Sequence, residues 1–181
     1  AAYTTLGCFS SMLNLPALAG SGSVVENDVG VLARISGLFS RKSYNLASLT
    51  VGPTKDRTVS RMTISLTSDD RTFEQVKKQL GRCVEVIKVV DYTDIAIHMK
   101  ELMFVRINNC SDRDIDGIFK ISQAFQVSVI DYSPETVLIE SVHTENRNND
   151  LIALLEKCYA NRIEIVRGGS VAVETSSIAE R

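Results

Sequence analysis

The period of the apolar positions changes in a regular order along the chain. Val24 and Val25 close a first extended run, and Glu26 to Val29 form a polar turn. Val31, Leu32, Ile35, Leu38 and Phe39 then recur at helical spacing on one face, with Arg34, Arg41 and Lys42 off that stripe. Residues 45–54 read as extended and end at Gly52-Pro53. Residues 58–67 alternate, with Val59, Met62, Ile64 and Leu66 as the apolar set. Ser68-Asp69-Asp70 has helix-cap chemistry, and the helix after it places Phe73, Val76 and Leu80 on one face. Residues 84–90 are almost continuously apolar, which predicts another strand. Strand–helix–strand–strand–helix–strand is the split βαβ of ferredoxin-like folds.

The same order then repeats. Residues 101–108 predict a strand carrying Leu102, Met103, Phe104, Val105 and Ile107. Ser111-Asp112 caps a helix with Ile115, Ile118, Phe119, Ser122 and Phe125 inward. Two strands at 126–132 and 136–142 flank a Ser133-Pro134-Glu135 turn, followed by a helix over 148–159 with Leu151, Ile152, Leu155, Cys158 and Tyr159 inward. Residues 162–173 supply the last strand. Its Gly168-Gly169 pair suits a β-bulge better than a phosphate loop, because no helix follows. The expected fold is α+β, two tandem ferredoxin-like βαββαβ domains. The expected boundaries are a flexible extension at 1–17, a domain at 18–92, a linker at 93–99, a domain at 100–175 and a tail at 176–181.

Composition narrows the function classes. A formal net charge of −2 gives no global attraction to nucleic acid or to an anionic membrane. No apolar run approaches the roughly 18–20 residues of a membrane helix. A ferredoxin-like sheet can bind RNA, but that requires exposed aromatics on its central strands and a basic face. The strands here offer Val, Ile and Met. Cys8, Cys83, Cys110 and Cys158 are widely spaced and read as buried reduced thiols, and with only His98 and His143 they make no zinc-ligand pattern. Catalytic elbows, metal clusters and phosphate loops are missing from the sequence. The first 25 residues contain no charged side chain, unlike a secretory or transit leader.

The two repeats differ at the start of their first helix. The first repeat arrives through Asn27-Asp28-Val29-Gly30, whereas the second arrives through Asn109-Cys110-Ser111-Asp112 without a glycine. Unpaired N–H groups and the helix dipole favour an anion at such a start, and glycine allows close approach. One ligand site is therefore expected, in the first repeat. The bland alternative is that Asn27 and Asp28 only cap the helix and Asn45 only begins a strand.

Three segments carry a family resemblance: Val25-Glu26-Asn27-Asp28-Val29-Gly30-Val31-Leu32, Ile35-Ser36-Gly37-Leu38-Phe39-Ser40-Arg41, and Tyr44-Asn45-Leu46-Ala47-Ser48-Leu49-Thr50-Val51-Gly52-Pro53-Thr54. Ser60-Arg61-Met62-Thr63-Ile64 and Lys100-Glu101-Leu102-Met103 extend it. The chain resembles the regulatory small subunit of acetohydroxyacid synthase, also called acetolactate synthase. The resemblance implies an ACT domain followed by an ACT-like domain and a subunit that is not itself an enzyme. It implies a cytoplasmic protein that activates a catalytic large subunit and confers feedback inhibition by valine or another branched-chain amino acid. Thiamine diphosphate, Mg²⁺ and FAD are implied for the catalytic subunit, and no cofactor for this one. The effector is implied to lie between ACT domains of a homodimer, against Asn27, Asp28, Val29, Gly30, Val31, Leu32 and Asn45. Arg34, Arg41 and Lys42 are candidates for touching the catalytic subunit. A free-standing tandem ACT sensor acting on another enzyme or on transcription is the alternative. The family begins with a hydrophobic strand before the Asn turn, where this chain has Gly20 and Gly22, so either a short first strand or an atypical N-terminal sequence is expected.

Overall fold

In the computed structural model, which describes residues 3–9, 18–26, 30–41, 46–67, 69–93 and 95–176, both repeats take the predicted α+β form. The chain divides into two units, residues 1–98 with 171–181, and residues 99–170.

The first unit contains β1 (Tyr3–Phe9), β2 (Leu18–Glu26), α1 (Val31–Arg41), β3 (Leu46–Pro53), β4 (Val59–Thr67), α2 (Asp70–Leu80) and β5 (Val86–Asp91). Its sheet has the order β3-β4-β1-β2-β5, with an additional pairing of β4 and β2. The β4–β2 and β2–β5 ladders are antiparallel, as the split βαβ requires. Two expectations fail at the start of this unit. Tyr3–Phe9 was expected in a flexible extension but runs antiparallel to β2 and, at Tyr3–Thr5, parallel to β4. An uncharged segment can join a sheet without desolvating a charge. The first main strand is also not short: β2 has nine residues and includes both glycines. Backbone ladders on β4 and β5 hold it, and they need no side chain.

Val31, Ile35 and Phe39, spaced by four, are the buried positions of α1, and Met62, Ile64 and Leu66 of β4 with Phe73, Val76 and Leu80 of α2 are buried apolar side chains of the same unit. Leu32, expected on the buried stripe, is 47% exposed. A 3.6-residue period carries it past the edge of the face that Val31 and Ile35 define. Asp69 caps α2 by accepting from the Thr72 N–H at 2.7 Å. Val84, expected in a strand, lies in the turn before β5 and is exposed.

The second unit is built from β6 (Ile97–Asn108), α3 (Asp112–Phe125), β7 (Ser128–Ser133), β8 (Thr136–His143), α4 (Glu145–Cys158) and β9 (Ile163–Glu174), with sheet order β7-β8-β6-β9. β6 begins at Ile97, inside the expected linker. Its core gathers Met103, Val105 and Ile107, Ile118 of α3, Val137 and Ile139 of β8, and Leu151 and Leu155 of α4. Phe119, expected inward, is 40% exposed and meets Tyr132 edge-on with ring centroids 6.1 Å apart. Cys158 is exposed, Cys83 half-buried and Cys110 buried, so only one of these three thiols fits the buried reading. Gly169 takes φ 79° within β9, a left-handed conformation that favours glycine at the predicted irregularity.

A polar network surrounds the buried Glu101 in this unit. Glu101 on β6 accepts two bonds from Arg167 on β9, Nε at 2.8 Å and Nη2 at 2.6 Å. Asn148 on α4 donates to the same carboxylate at 3.0 Å and accepts from the Ser141 hydroxyl of β8 at 2.7 Å. Four elements are thus joined through groups whose partners are all within the unit. A buried charge is tolerated only under such saturation.

Candidate functional site

The first turn of α1 holds the predicted site. Helix formation leaves the first N–H groups without a partner inside the helix. The earliest i to i−4 bond among the described residues runs from the Arg34 N–H to the Gly30 carbonyl at 2.9 Å. The N–H groups of Val31, Leu32 and Ala33 therefore precede the helical ladder. Gly30 has φ 93°, is exposed, and a Cβ built on it would meet no heavy atom within 4 Å. Glycine is thus used here for conformation, and no described residue crowds the space beside it. The first turn of α1 contains no acidic residue.

The predicted residues separate into three groups. Gly30 and the α1 backbone form the open turn. Val31 turns its side chain into the core at 4% exposure, so only its N–H faces the turn, while Leu32 presents an exposed aliphatic side chain. Asn27, Asp28, Val29 and Asn45 lie outside the described residues, as does Lys42. Of the basic candidates, Arg34 pairs with Glu85, so its charge is already engaged on the chain itself. Glu85 lies 51 residues away in sequence and carries no local signal of this role.

The matching helix start in the second unit is built oppositely. Ser111 and Asp114 form a capping box: the Ser111 Oγ accepts from the Asp114 N–H at 3.3 Å, and the Asp114 carboxylate accepts from the Ser111 N–H at 3.0 Å. Arg162 donates to Asp114 at 3.1 Å and to the Asn109 carbonyl at 2.7 Å. The backbone and side-chain bonds from Ser111, with the Arg162 guanidinium, hold the Asp114 carboxyl down to about 2. This helix start already contains an anion and that anion's counter-charge. Serine with an acid three residues on was readable in the sequence; Arg162, from β9's approach, was not.

Among the described residues no group of three or more His, Cys, Asp or Glu side chains is arranged to hold a metal ion. Among them also, no helix is long and apolar enough to cross a membrane.

Comparison with known proteins follows this division of the chain. The profile of the AHAS small subunit-like ACT domain matches residues 23–88, and that of the small subunit of acetolactate synthase matches residues 100–176. The acetolactate synthase small subunit of Aquifex aeolicus (strain VF5) is 40% identical over 149 residues, covering 82% of this chain and 77% of that protein. The acetolactate synthase isozyme 3 small subunit of Escherichia coli (strain K12) is 34% identical over 150 residues, covering 83% of this chain and 91% of that one. The crystal structure of the acetolactate synthase small subunit from Thermotoga maritima aligns with a TM-score of 0.75 at 31% identity, covering 85% of this chain and 94% of that chain.

Proposed function

The chain belongs to the acetolactate synthase small-subunit family, with that family's ACT domain, and from this premise we propose that it is the non-catalytic regulatory partner of an acetohydroxyacid synthase catalytic subunit. It activates that subunit in the cytoplasm and confers feedback inhibition by a branched-chain amino acid, with valine the first candidate. Thiamine diphosphate, Mg²⁺ and FAD belong to the catalytic partner, and this chain carries no cofactor.

One observation supports the site most directly: α1 starts with an exposed glycine at φ 93° and no acid in its first turn, whereas α3 fills its own start with Asp114 and Arg162. The α-carboxylate of the effector binds the N–H groups of Gly30, Val31 and Leu32, where the helix dipole favours negative charge. The exposed Leu32 side chain meets the aliphatic side chain of the effector. Asn27 and Asn45 bond its ammonium or carboxylate, Asp28 balances the ammonium charge, and Val29 adds apolar contact. Two chains pair through their first units by isologous contact, and the effector lies in that seam. The catalytic subunit responds because it has unequal affinity for the effector-bound and effector-free arrangements. Linkage makes the response reciprocal, with a coupling of about 1–3 kcal/mol.

Isothermal titration of the chain with valine, leucine and isoleucine tests this reading. Binding heat is expected for at least one of them, and Gly30→Asp is expected to abolish both the heat and the feedback on the catalytic subunit. Absence of heat and of any thermal shift at saturating effector sinks the effector assignment. A Gly30→Asp chain that responds normally moves the pocket elsewhere.

A further inference from the structure

Arg34 stands where an acid is usual. The first turn of a helix favours negative charge, because the dipole is positive there. The first turn of α1 contains no acidic residue, and Arg34 places a cation at its end. The Arg34 N–H bonds the Gly30 carbonyl at 2.9 Å, so the two residues lie one turn apart on one face. Helical side chains lean toward the N-terminus. The Arg34 side chain is therefore directed toward the Gly30 turn, where even an added Cβ would meet no described residue. We propose that Arg34 is a ligand for the effector carboxylate and that Glu85 positions it. This rests on the effector site assigned above to the start of α1.

The ion pair with Glu85 holds one edge of the guanidinium. Arg34 Nη1 donates to the Glu85 carboxylate, and Nε and Nη2 make no further bond to a described residue. The Arg34 side chain is 70% exposed, whereas that of Glu85 is 16% exposed. The turn that carries Glu85 is closed on both sides. The Cys83 N–H bonds the Leu80 carbonyl at the end of α2, and the Val86 N–H bonds the Cys83 carbonyl at the start of β5, each at 3.0 Å. A sheltered carboxylate on a closed turn thus orients an accessible guanidinium through one nitrogen. The planar fork has five donors, so it can serve a second carboxylate at the same time. An exposed pair adds little to stability, which gives no separate reason to place a cation at this helix end.

The effector carboxylate is then held from two sides. The first-turn N–H groups of α1 are uncharged donors, and Arg34 adds a full positive charge with planar donors. Charge-assisted bonds are the stronger kind. The pair of donor types therefore selects an α-carboxylate over the neutral amide of the same amino acid. A side chain that only braced α1 against the Cys83–Glu85 turn would not distinguish those two ligands.

Titration calorimetry on the full chain tests the proposal, with the branched-chain amino acid that binds and with its carboxamide as ligands. The proteins are the parent, Arg34→Gln and Glu85→Gln. The parent is expected to bind the amino acid roughly ten-fold or more tighter than the amide. In Arg34→Gln the amino acid should lose roughly ten-fold or more while the amide loses much less, so the preference shrinks. Glu85→Gln should lower the same preference by a smaller factor, roughly three-fold, because Arg34 keeps its charge and loses its orientation. Melting of both variants should match the parent, as for an exposed pair. Each preference is a ratio within one protein, so the effect of the amide on the effector amine cancels between proteins. Glu85→Gln leaves α1 itself unaltered, so a folding defect in Arg34→Gln leaves the ratio measurable. An undiminished preference for the carboxylate in both folded variants overturns the proposal. Equal losses for amino acid and amide make Arg34 a brace of the fold and overturn it too. Absence of binding in the parent counts against the effector site itself and removes the proposal with it.

Discussion

Gly30→Ala separates backbone conformation from packing at the effector turn. Gly30 has φ 93°, and an added Cβ there meets no heavy atom within 4 Å. Steric clash therefore contributes nothing, and the cost is conformational. An L-residue in the left-handed region costs roughly 1–2 kcal/mol. Alanine also restricts the unfolded chain, which returns about 0.4–1 kcal/mol. The difference predicts a net loss of about 1 kcal/mol, close to a five-fold change in the unfolding equilibrium. Asparagine tolerates this region better, so Gly30→Asn should lose less than Gly30→Ala. Urea unfolding followed by far-ultraviolet circular dichroism, with the slopes compared, measures both variants. Equal or greater stability for Gly30→Ala would falsify the claim that the turn requires a positive φ. A loss above about 3 kcal/mol would show a clash that the open space beside Gly30 excludes.

Glu101→Gln should destabilise the second unit by about 2–3 kcal/mol in thermal or urea unfolding; that is less than the 3–5 of a fully buried pair, because water reaches part of the Arg167 charge left behind. Burial pushes the Glu101 carboxyl up, but the bonds from Arg167 and Asn148 outweigh it and hold it below its ordinary value of 4.5. Its contribution is therefore complete above that ordinary value and lost as pH falls through the lower folded value, so the parent chain should weaken in acid more steeply than Glu101→Gln. Ile35→Ala removes a side chain that is 1% exposed and should cost about 2–5 kcal/mol. Leu32→Ala, one turn earlier and exposed, should change stability by no more than about 0.5 kcal/mol while altering the ranking of valine, leucine and isoleucine in titration; an unchanged ranking removes Leu32 from the pocket.

Two helix starts were legible because each has a local cause, whereas α4, expected from 148, begins at Glu145 behind Thr144, which makes no side-chain cap bond. Asp69 and Ser111 are caps with the right residue types, and both start helices where expected. Val31, Ile35 and Phe39 carry the inner face of α1 at a spacing that the sequence displays. Exposure was less legible. Leu32, Val84, Phe119 and Cys158 are apolar by composition yet exposed or in a turn, because burial depends on what lies opposite. The glycines of β2 argued for a short strand, but its ladders to β4 and β5 carry it through both.

By itself the sequence determined the duplicated βαββαβ order, the family, and the glycine that marks one helix start as different from its repeat. These follow from period, caps and turn chemistry, all of which act within a few residues. Tertiary structure alone showed that the start of α3 is already occupied. Arg162 reaches Asp114 across 48 positions, and Glu101 meets Arg167 across 66. Such pairs are set by strand order, and an ion pair at 3 Å leaves no periodic trace in a sequence. The open turn at Gly30 is a difference between repeats that the chain displays, but its meaning comes from the closed turn at Ser111, which only folding assembles.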